Sequence, residues 1–96
     1  MLARVDAHQH FWSPGRGDYG WLRADNRALA PLVRDFRPEH LQPLLAAQGV
    51  VQTVLVQAAP SEAETDHLLS LASAHAFIAA VVGWVDLSRA ESVGTL

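Results

Sequence analysis

Apolar residues along the chain follow two periodicities, one typical of strands and one typical of helices. Residues 2–8 alternate between two faces, and residues 50–58 and 77–87 are nearly continuous apolar runs. Alternation is typical of a strand, and a continuous run bounded by turn residues is typical of a strand buried on both faces. Residues 38–48 and 62–75 carry leucines at helical spacing. We therefore predict three strands and two helices in this order along the chain.

Proline and capping residues refine the predicted helix boundaries. Pro43 lies inside the first predicted helix, where it should kink the helix or shift its start. Ser61 and Glu64 have the spacing of a capping box, in which each side chain bonds to the other residue's backbone N–H. Ser88 and Glu91 repeat this spacing, so another helix is expected to begin near the end of the chain.

The order of elements predicts an α/β fold with a parallel sheet covered by helices. A (β/α)₈ TIM barrel needs roughly 200 residues or more, whereas this chain has 96. We therefore expect residues 1–96 to form a partial domain, the N-terminal three βα units of an incomplete TIM barrel. Such a sheet has open edges, which are available for self-association.

The segment 11–37 is rich in Gly, Pro and Asp but also contains aromatic residues, among them Phe11, Trp12, Tyr19 and Trp21. Irregular segments of this length are uncommon in compact domains unless they are functional. Aromatic residues among turn formers predict a loop that packs against the fold. A disordered linker is the alternative.

Composition excludes several classes of function. The net charge is −3 and no basic cluster is present, which argues against binding of nucleic acid or of an anionic membrane. The sequence has no Lys, which excludes Schiff-base chemistry, and no Cys, which excludes disulfides and thiolate metal sites. No signal peptide or transmembrane run is evident, so a cytoplasmic location is expected.

Two histidines end the first predicted strand. Positions i and i+2 of a strand point to the same side, so His8 and His10 should share a face with Asp6. Imidazoles placed in this way can bind one metal ion, and in parallel barrels the carboxyl ends of the strands form the catalytic face. Two solvent-exposed histidines are the alternative interpretation.

Polar and aromatic residues near the other predicted strand ends are candidates for substrate binding. Gln57 and Asp86 could bind hydroxyl groups, and Trp12 and Trp84 could line a sugar-sized pocket. The alternatives are a polar residue at the rim of the sheet for Gln57, helix capping for Asp86, and core packing for the tryptophans. The helices contain three further histidines, which we expect at the surface, namely His40, His67 and His75.

Several sequence blocks together resemble the amidohydrolase superfamily, in particular its amidohydrolase-2 branch of sugar-lactone and dicarboxylate-lactone hydrolases, which includes L-fuconolactonase and L-rhamnono-lactonase. The blocks are DAHQHFW, YGWL, VLVQA, the pair Glu64-Thr65 and VVGWVDL, in the expected order. The resemblance implies a (β/α)₈ barrel with a divalent metal, often zinc, bound by His8 and His10. It implies that Trp12, Gln57, Trp84 and Asp86 contact a small lactone substrate.

The same resemblance limits what this chain is expected to do. Later barrel strands of the family supply further ligands and an aspartate general base, and this chain has no counterpart of them. We therefore expect the N-terminal part of a metal-dependent lactone hydrolase that is inactive by itself, with its catalytic base unknown. The alternatives are a metal-independent lactonase fragment, a non-catalytic paralogue that acts as an interaction module, and an H-x-H phosphoesterase or nuclease. The acidic charge and the aromatic loop argue against the last.

Overall fold

A three-stranded parallel sheet with two α-helices forms the frame of the protein. The computed structural model describes residues 3–89. The strands are β1 (Arg4–Gln9), β2 (Val50–Val56) and β3 (Ile78–Val82), and the helices are α1 (Pro38–Ala47) and α2 (Glu62–Ala74). The spatial order β1-β2-β3 follows the chain, and both strand pairs are parallel. The predicted α/β class with a parallel sheet is confirmed.

The helix boundaries agree closely with the sequence pattern. Helix α1 begins at Pro38 and runs through Pro43, so the internal proline does not shift its start. Pro38 occupies the first turn, where a backbone N–H has no helical partner, and this favours the earlier start. Ser88 lies in a turn, and its expected capping partner Glu91 lies outside the described residues.

The second and third strands are shorter than the apolar runs that predicted them. β2 ends at Val56 and β3 ends at Val82. Gln57, Trp84 and Asp86 therefore lie beyond the strands, in segments whose backbone is held by side chains and turns. Both segments contact α2 through its first turn, where Glu64 bonds to Ala58 and Thr65 bonds to Trp84.

The core lies between the sheet, the helices and the start of the long loop. Its fully buried members are Phe11, Leu55, Leu68 and Ile78. Leu68 of α2 is fully buried, whereas the adjacent Leu69 is 52% exposed. Leu71 packs against the core instead, because residues three apart on a helix share a face and adjacent residues do not.

The long loop packs onto this core, as its aromatic residues predicted. Phe11 and Tyr19 are buried. The backbones of Trp12 and Phe36 exchange two hydrogen bonds, of 3.2 and 2.8 Å, which join the start of the loop to its end. Two short 3₁₀ turns, Pro14–Arg16 and Arg27–Leu32, lie between them. The disordered-linker alternative is therefore wrong.

The sheet has two open edges within the described part of the chain, one on β1 and one on β3. Val5 on β1 is 54% exposed and Val82 on β3 is 51% exposed. Self-association through these edges stays a prediction. No helix within residues 3–89 is long and apolar enough to cross a membrane.

Candidate metal and substrate site

A local irregularity in β1 places His8, which lies within the strand, and His10, which directly follows its last residue. Asp6 pairs with Thr53 and Gln9 with Leu55, so β1 has one more residue than β2 between these two pairs. The carboxylate of Asp6 accepts a hydrogen bond of 3.0 Å from the backbone N–H of His8, inside this bulge. His8 and His10 are exposed, whereas Gln9 between them is buried. The two imidazoles therefore lie on the same side of the strand, as predicted.

The ring of His10 is anchored to the neighbouring strand. Its Nδ1 atom lies 2.9 Å from the backbone carbonyl oxygen of Val56, at the end of β2. A carbonyl oxygen only accepts hydrogen bonds, so Nδ1 carries a proton, and in the neutral ring Nε2 has the lone pair. This hydrogen bond is typical of metal-binding histidines, because it fixes the tautomer and the ring orientation.

The spacing of the two rings suits a common metal ion. Their centroids lie 4.9 Å apart at an interplanar angle of 68°. Two imidazoles bound tetrahedrally to one zinc ion, with bonds of roughly 2.0–2.1 Å, have centroids about 5 Å apart. Within residues 3–89, however, no group of three or more His, Cys, Asp or Glu side chains could hold a metal ion. The described residues therefore fit two ligands of a metal, whereas catalytic zinc normally has three protein ligands.

Trp84 and Asp86 lie together beyond the end of β3. Residues 83–87 line an open cavity of about 580 Å³. The carboxylate of Asp86 accepts hydrogen bonds from the hydroxyl and the backbone N–H of Ser88. These two bonds lower the pKa of Asp86 below its ordinary value of 3.8. These bonds form a turn over residues 86–88, and both roles considered for Asp86, substrate binding and helix capping, stay predictions.

The structure separates Trp12 from this cavity. Its indole N–H donates to the carbonyl oxygen of Leu32 at 2.9 Å, and its ring contacts Trp21 and Phe36 edge to face. Trp12 lines a different cavity of about 270 Å³, next to α2. Gln57 is half-buried after β2, and its backbone N–H donates to the carbonyl oxygen of Val82 at 2.9 Å.

The same cavity contains a histidine whose location we predicted incorrectly. His67 was expected at the surface of α2, but it is half-buried and lines the cavity together with Trp12, Arg16 and Leu71. Burial lowers the pKa of His67 below 6.5, and the charge of Arg16 lowers it further. His75 is also half-buried, so of the three helix histidines only His40 is exposed as predicted. The long loop covers this part of the helix layer, which a simple βα pattern would leave in water.

The sequence did not reveal the role of Glu64 in a buried polar network. Its carboxylate is fully buried and accepts hydrogen bonds from Arg16 Nη1 at 2.8 Å, the Tyr19 hydroxyl at 2.9 Å and the Ala58 N–H at 2.9 Å. Only half of the predicted capping box is present, because the Ser61 hydroxyl accepts from the Glu64 N–H at 3.0 Å while the Glu64 carboxylate serves this network. Glu64 lies four residues before Leu68 and therefore on the same buried face of α2. A carboxylate on a buried face is almost always paired, so this position could have indicated a buried polar network from the sequence.

The network changes the acidity of its tyrosine. Burial raises the pKa of Tyr19 from 10.0 to about 12, and the hydrogen bond to Glu64 and the charge of this carboxylate contribute to the shift. Asp18 extends the network, since it accepts a short hydrogen bond from the Ser61 hydroxyl and lies 3.6 Å from Arg16. The network thus joins the long loop to the first turn of α2 and to the end of β2.

Comparison with known proteins identifies relatives over nearly the whole chain. No family model matches it. It is 47% identical over 92 residues to an L-fucono-1,5-lactonase of Burkholderia ambifaria, which covers 96% of this chain and 31% of the relative. It is 46% identical over 84 residues to an L-fucono-1,5-lactonase of Burkholderia multivorans, covering 88% of this chain and 27% of that relative. The chain therefore spans less than a third of the length of these relatives.

Solved structures agree with the sequence comparison. A crystal structure of an amidohydrolase from Burkholderia multivorans with bound zinc superposes with a TM-score of 0.86 at 40% identity, over 98% of this chain and 32% of the other. A second crystal form of an amidohydrolase from this organism, with bound HEPES, gives a TM-score of 0.85 at 41% identity. The described sheet matches the N-terminal part of an amidohydrolase TIM barrel. The chain therefore belongs to the lactonase-like, amidohydrolase-2 family, of which it represents a short part.

Proposed function

We propose that this chain is the N-terminal part of a metal-dependent hydrolase that opens a sugar lactone by hydrolysis of its ring ester bond. The observation that carries the proposal is the pair of exposed imidazoles with centroids 4.9 Å apart, one of them fixed by the Val56 carbonyl with Nε2 left as a metal ligand. Family membership supports the lactone substrate, and the zinc in a related crystal structure supports the metal.

In this proposal His8 and His10 bind a divalent metal, zinc in the first place. A metal held by these two imidazoles would supply Lewis-acid chemistry, that is, polarisation of the lactone carbonyl and activation of water. The Val56 carbonyl holds the ring of His10, so this imidazole is already oriented before the metal binds, whereas Asp6 holds the backbone of His8. Preordered ligands lose less conformational entropy on binding.

The remaining predicted residues are proposed to bind the substrate. Trp84 and Asp86 border the open cavity beyond β3, where an indole face and a carboxylate suit the ring and the hydroxyl groups of a sugar. Gln57 supplies an amide at the neighbouring strand end. Trp12 lines another cavity, so we propose it only as a substrate contact away from Trp84 and Asp86. No general base is proposed among residues 3–89, because Asp6 and Asp86 already accept local backbone hydrogen bonds.

Zinc titration of the metal-free chain tests the metal site. We expect the wild-type chain to bind one zinc ion in calorimetry, and His8→Gln and His10→Gln each to lose this binding. His75→Gln is the matched control, because His75 follows α2 and precedes β3, at the opposite end of the parallel sheet from His8 and His10. Unchanged zinc affinity in His8→Gln would refute the proposed site.

A chimera tests the reaction. The first 92 matched residues of the Burkholderia ambifaria lactonase would be replaced by this chain, which is 47% identical to them. We expect zinc-dependent lactone hydrolysis by the chimera and none by the 96-residue chain alone. The substitution His10→Gln should reduce hydrolysis by more than the roughly 10–100-fold that loss of an outer-shell partner costs. Turnover by the chain alone would contradict its proposed inactivity.

A further inference from the structure

Two adjacent residues in the first turn of α2 each hold the backbone beyond a different strand. The Glu64 carboxylate accepts from the N–H of Ala58, two residues after β2. The Thr65 hydroxyl accepts from the N–H of Trp84 at 2.7 Å and donates to the carbonyl oxygen of the same residue at 2.8 Å, two residues after β3. The pair Glu64-Thr65 therefore binds the segments that contain Gln57 and Trp84.

The contact between Thr65 and Trp84 is specific in its chemistry. A hydroxyl has one proton, and the competing carbonyl of Ser61 lies farther away, at 3.5 Å, so the proton goes to the Trp84 carbonyl. Both polar groups of the Trp84 backbone are thus satisfied by one side chain. These are the groups that a longer β3 would have paired within the sheet.

Gly83 shows how closely the strand end approaches α2. A Cβ atom at Gly83 would lie 2.6 Å from Thr65 Cγ2 and 3.0 Å from Thr65 Oγ1. Any other residue at this position would push the Trp84 backbone away from the hydroxyl. The close approach and the two hydrogen bonds together fix the main chain from which the Trp84 side chain projects.

We propose that Glu64 and Thr65 are positioning residues, which hold Gln57 and Trp84 in the orientation that binds the sugar ring of the lactone. This inference rests on the proposed function, in which these two residues contact the substrate. Thr65 acts through Trp84 at the cavity of about 580 Å³, and Glu64 acts through Ala58 on the preceding Gln57. Neither residue is proposed to touch the substrate.

Substitutions at Thr65 in the full 96-residue chain test this role. Thr65→Val removes the hydroxyl and keeps the shape, whereas Thr65→Ser keeps the hydroxyl. The probe is L-fuconate, the stable acid formed from the lactone, and binding is followed by quenching of tryptophan fluorescence, with Trp84→Phe to identify the signal of that ring. Loss of two hydrogen bonds should weaken binding in Thr65→Val by about 10-fold, and Thr65→Ser should remain within about threefold of the wild type.

Zinc affinity distinguishes a loss of substrate positioning from damage to the proposed metal site. We expect Thr65→Val to bind zinc as the wild type does, because His8 and His10 lie on a different strand. Gly83→Ala should weaken L-fuconate binding in the same way, by displacing the same backbone, and provides a second variant if Thr65→Val folds poorly. Equal L-fuconate affinity in wild type and Thr65→Val, with zinc bound, would overturn the inference and leave the proposed function standing. Absence of saturable L-fuconate binding by the wild type would overturn the proposed substrate class and this inference together.

Discussion

Ionisation of Tyr19 should destabilise the protein in alkaline solution. Its side chain is only 6% exposed, and its hydroxyl lies 2.9 Å from a carboxylate oxygen of Glu64. A phenolate at this position would lose its hydration and face a second negative charge, so burial and Glu64 raise its pKa from 10.0 to about 12. Arg16, whose Nη1 lies 2.7 Å from the hydroxyl, opposes the shift without cancelling it.

The sign and the size of the effect follow from this pKa. The folded-state value lies above the unfolded value, so the stabilisation is fully present below pH 10 and is lost as the pH rises from 10 to about 12. Each pH unit in this window should lower the free energy of unfolding by about 1.4 kcal/mol, or about 3 kcal/mol over the whole window. A domain of this length has a total stability of about 5–14 kcal/mol, so the loss is a large part of it.

The amino-acid composition makes titration above pH 10 specific for Tyr19. Tyr19 is the only tyrosine, and the chain has neither lysine nor cysteine, so no other side chain except arginine ionises above pH 10. Tyrosinate absorbance should give a pKa near 12 in the folded chain and near 10 in denaturant. Urea unfolding across the same window should show the predicted slope, and Tyr19→Phe should abolish it. A folded-state pKa near 10, or an equal slope in Tyr19→Phe, would refute this reasoning.

Three substitutions should change the free energy of unfolding measured in urea. Gln9 is buried, and both polar atoms of its amide lack a hydrogen-bond partner within residues 3–89, so Gln9→Leu should stabilise the protein by about 1–3 kcal/mol; destabilisation would show that the amide has a partner. Glu64→Gln removes the charge that faces Arg16 and should cost about 3 kcal/mol, whereas the exposed control Glu62→Gln should stay within about 0.5 kcal/mol. Gly83→Ala should cost about 1–3 kcal/mol, and less in a Thr65→Ser background, which lacks the closest methyl group; additive costs would contradict the contact.

The sequence predicted those parts of the fold that depend on local periodicity. The expected helix 38–48 forms as Pro38–Ala47, and the expected helix from Glu62 to about His75 forms as Glu62–Ala74. Strand ends were less predictable, since the apolar run 77–87 gave a strand only at Ile78–Val82. Hydrophobicity indicates that a segment is buried but not what its backbone bonds to. The backbone of a buried segment can pair with a neighbouring strand or, as beyond β3, with a side chain such as Thr65.

At the candidate site, too, the sequence predicted local spacing but not contacts between distant segments. The two-residue spacing of His8 and His10 correctly predicted that they share a side, because side-chain direction alternates along any strand. Their detailed geometry depends on a bulge and on the Val56 carbonyl, which is 46 residues from His10 in sequence. Such contacts arise only from the register of two strands, so periodicity within one segment could not predict them.

Glu64 illustrates why a correct local rule gave an incomplete prediction. The capping box requires its carboxylate to bond to the Ser61 N–H, but that N–H already lies 3.0 Å from the Ala59 carbonyl. The network offers the carboxylate three donors, a guanidinium, a hydroxyl and a backbone N–H, whereas the capping box offers one, and each hydrogen bond to a charged group contributes about 1.5–3 kcal/mol. The Glu64 carboxylate therefore bonds to these three donors and not to the Ser61 N–H. Because they join the loop to the end of β2, ionisation of Tyr19 should loosen the loop and the segment of Gln57 at the same pH.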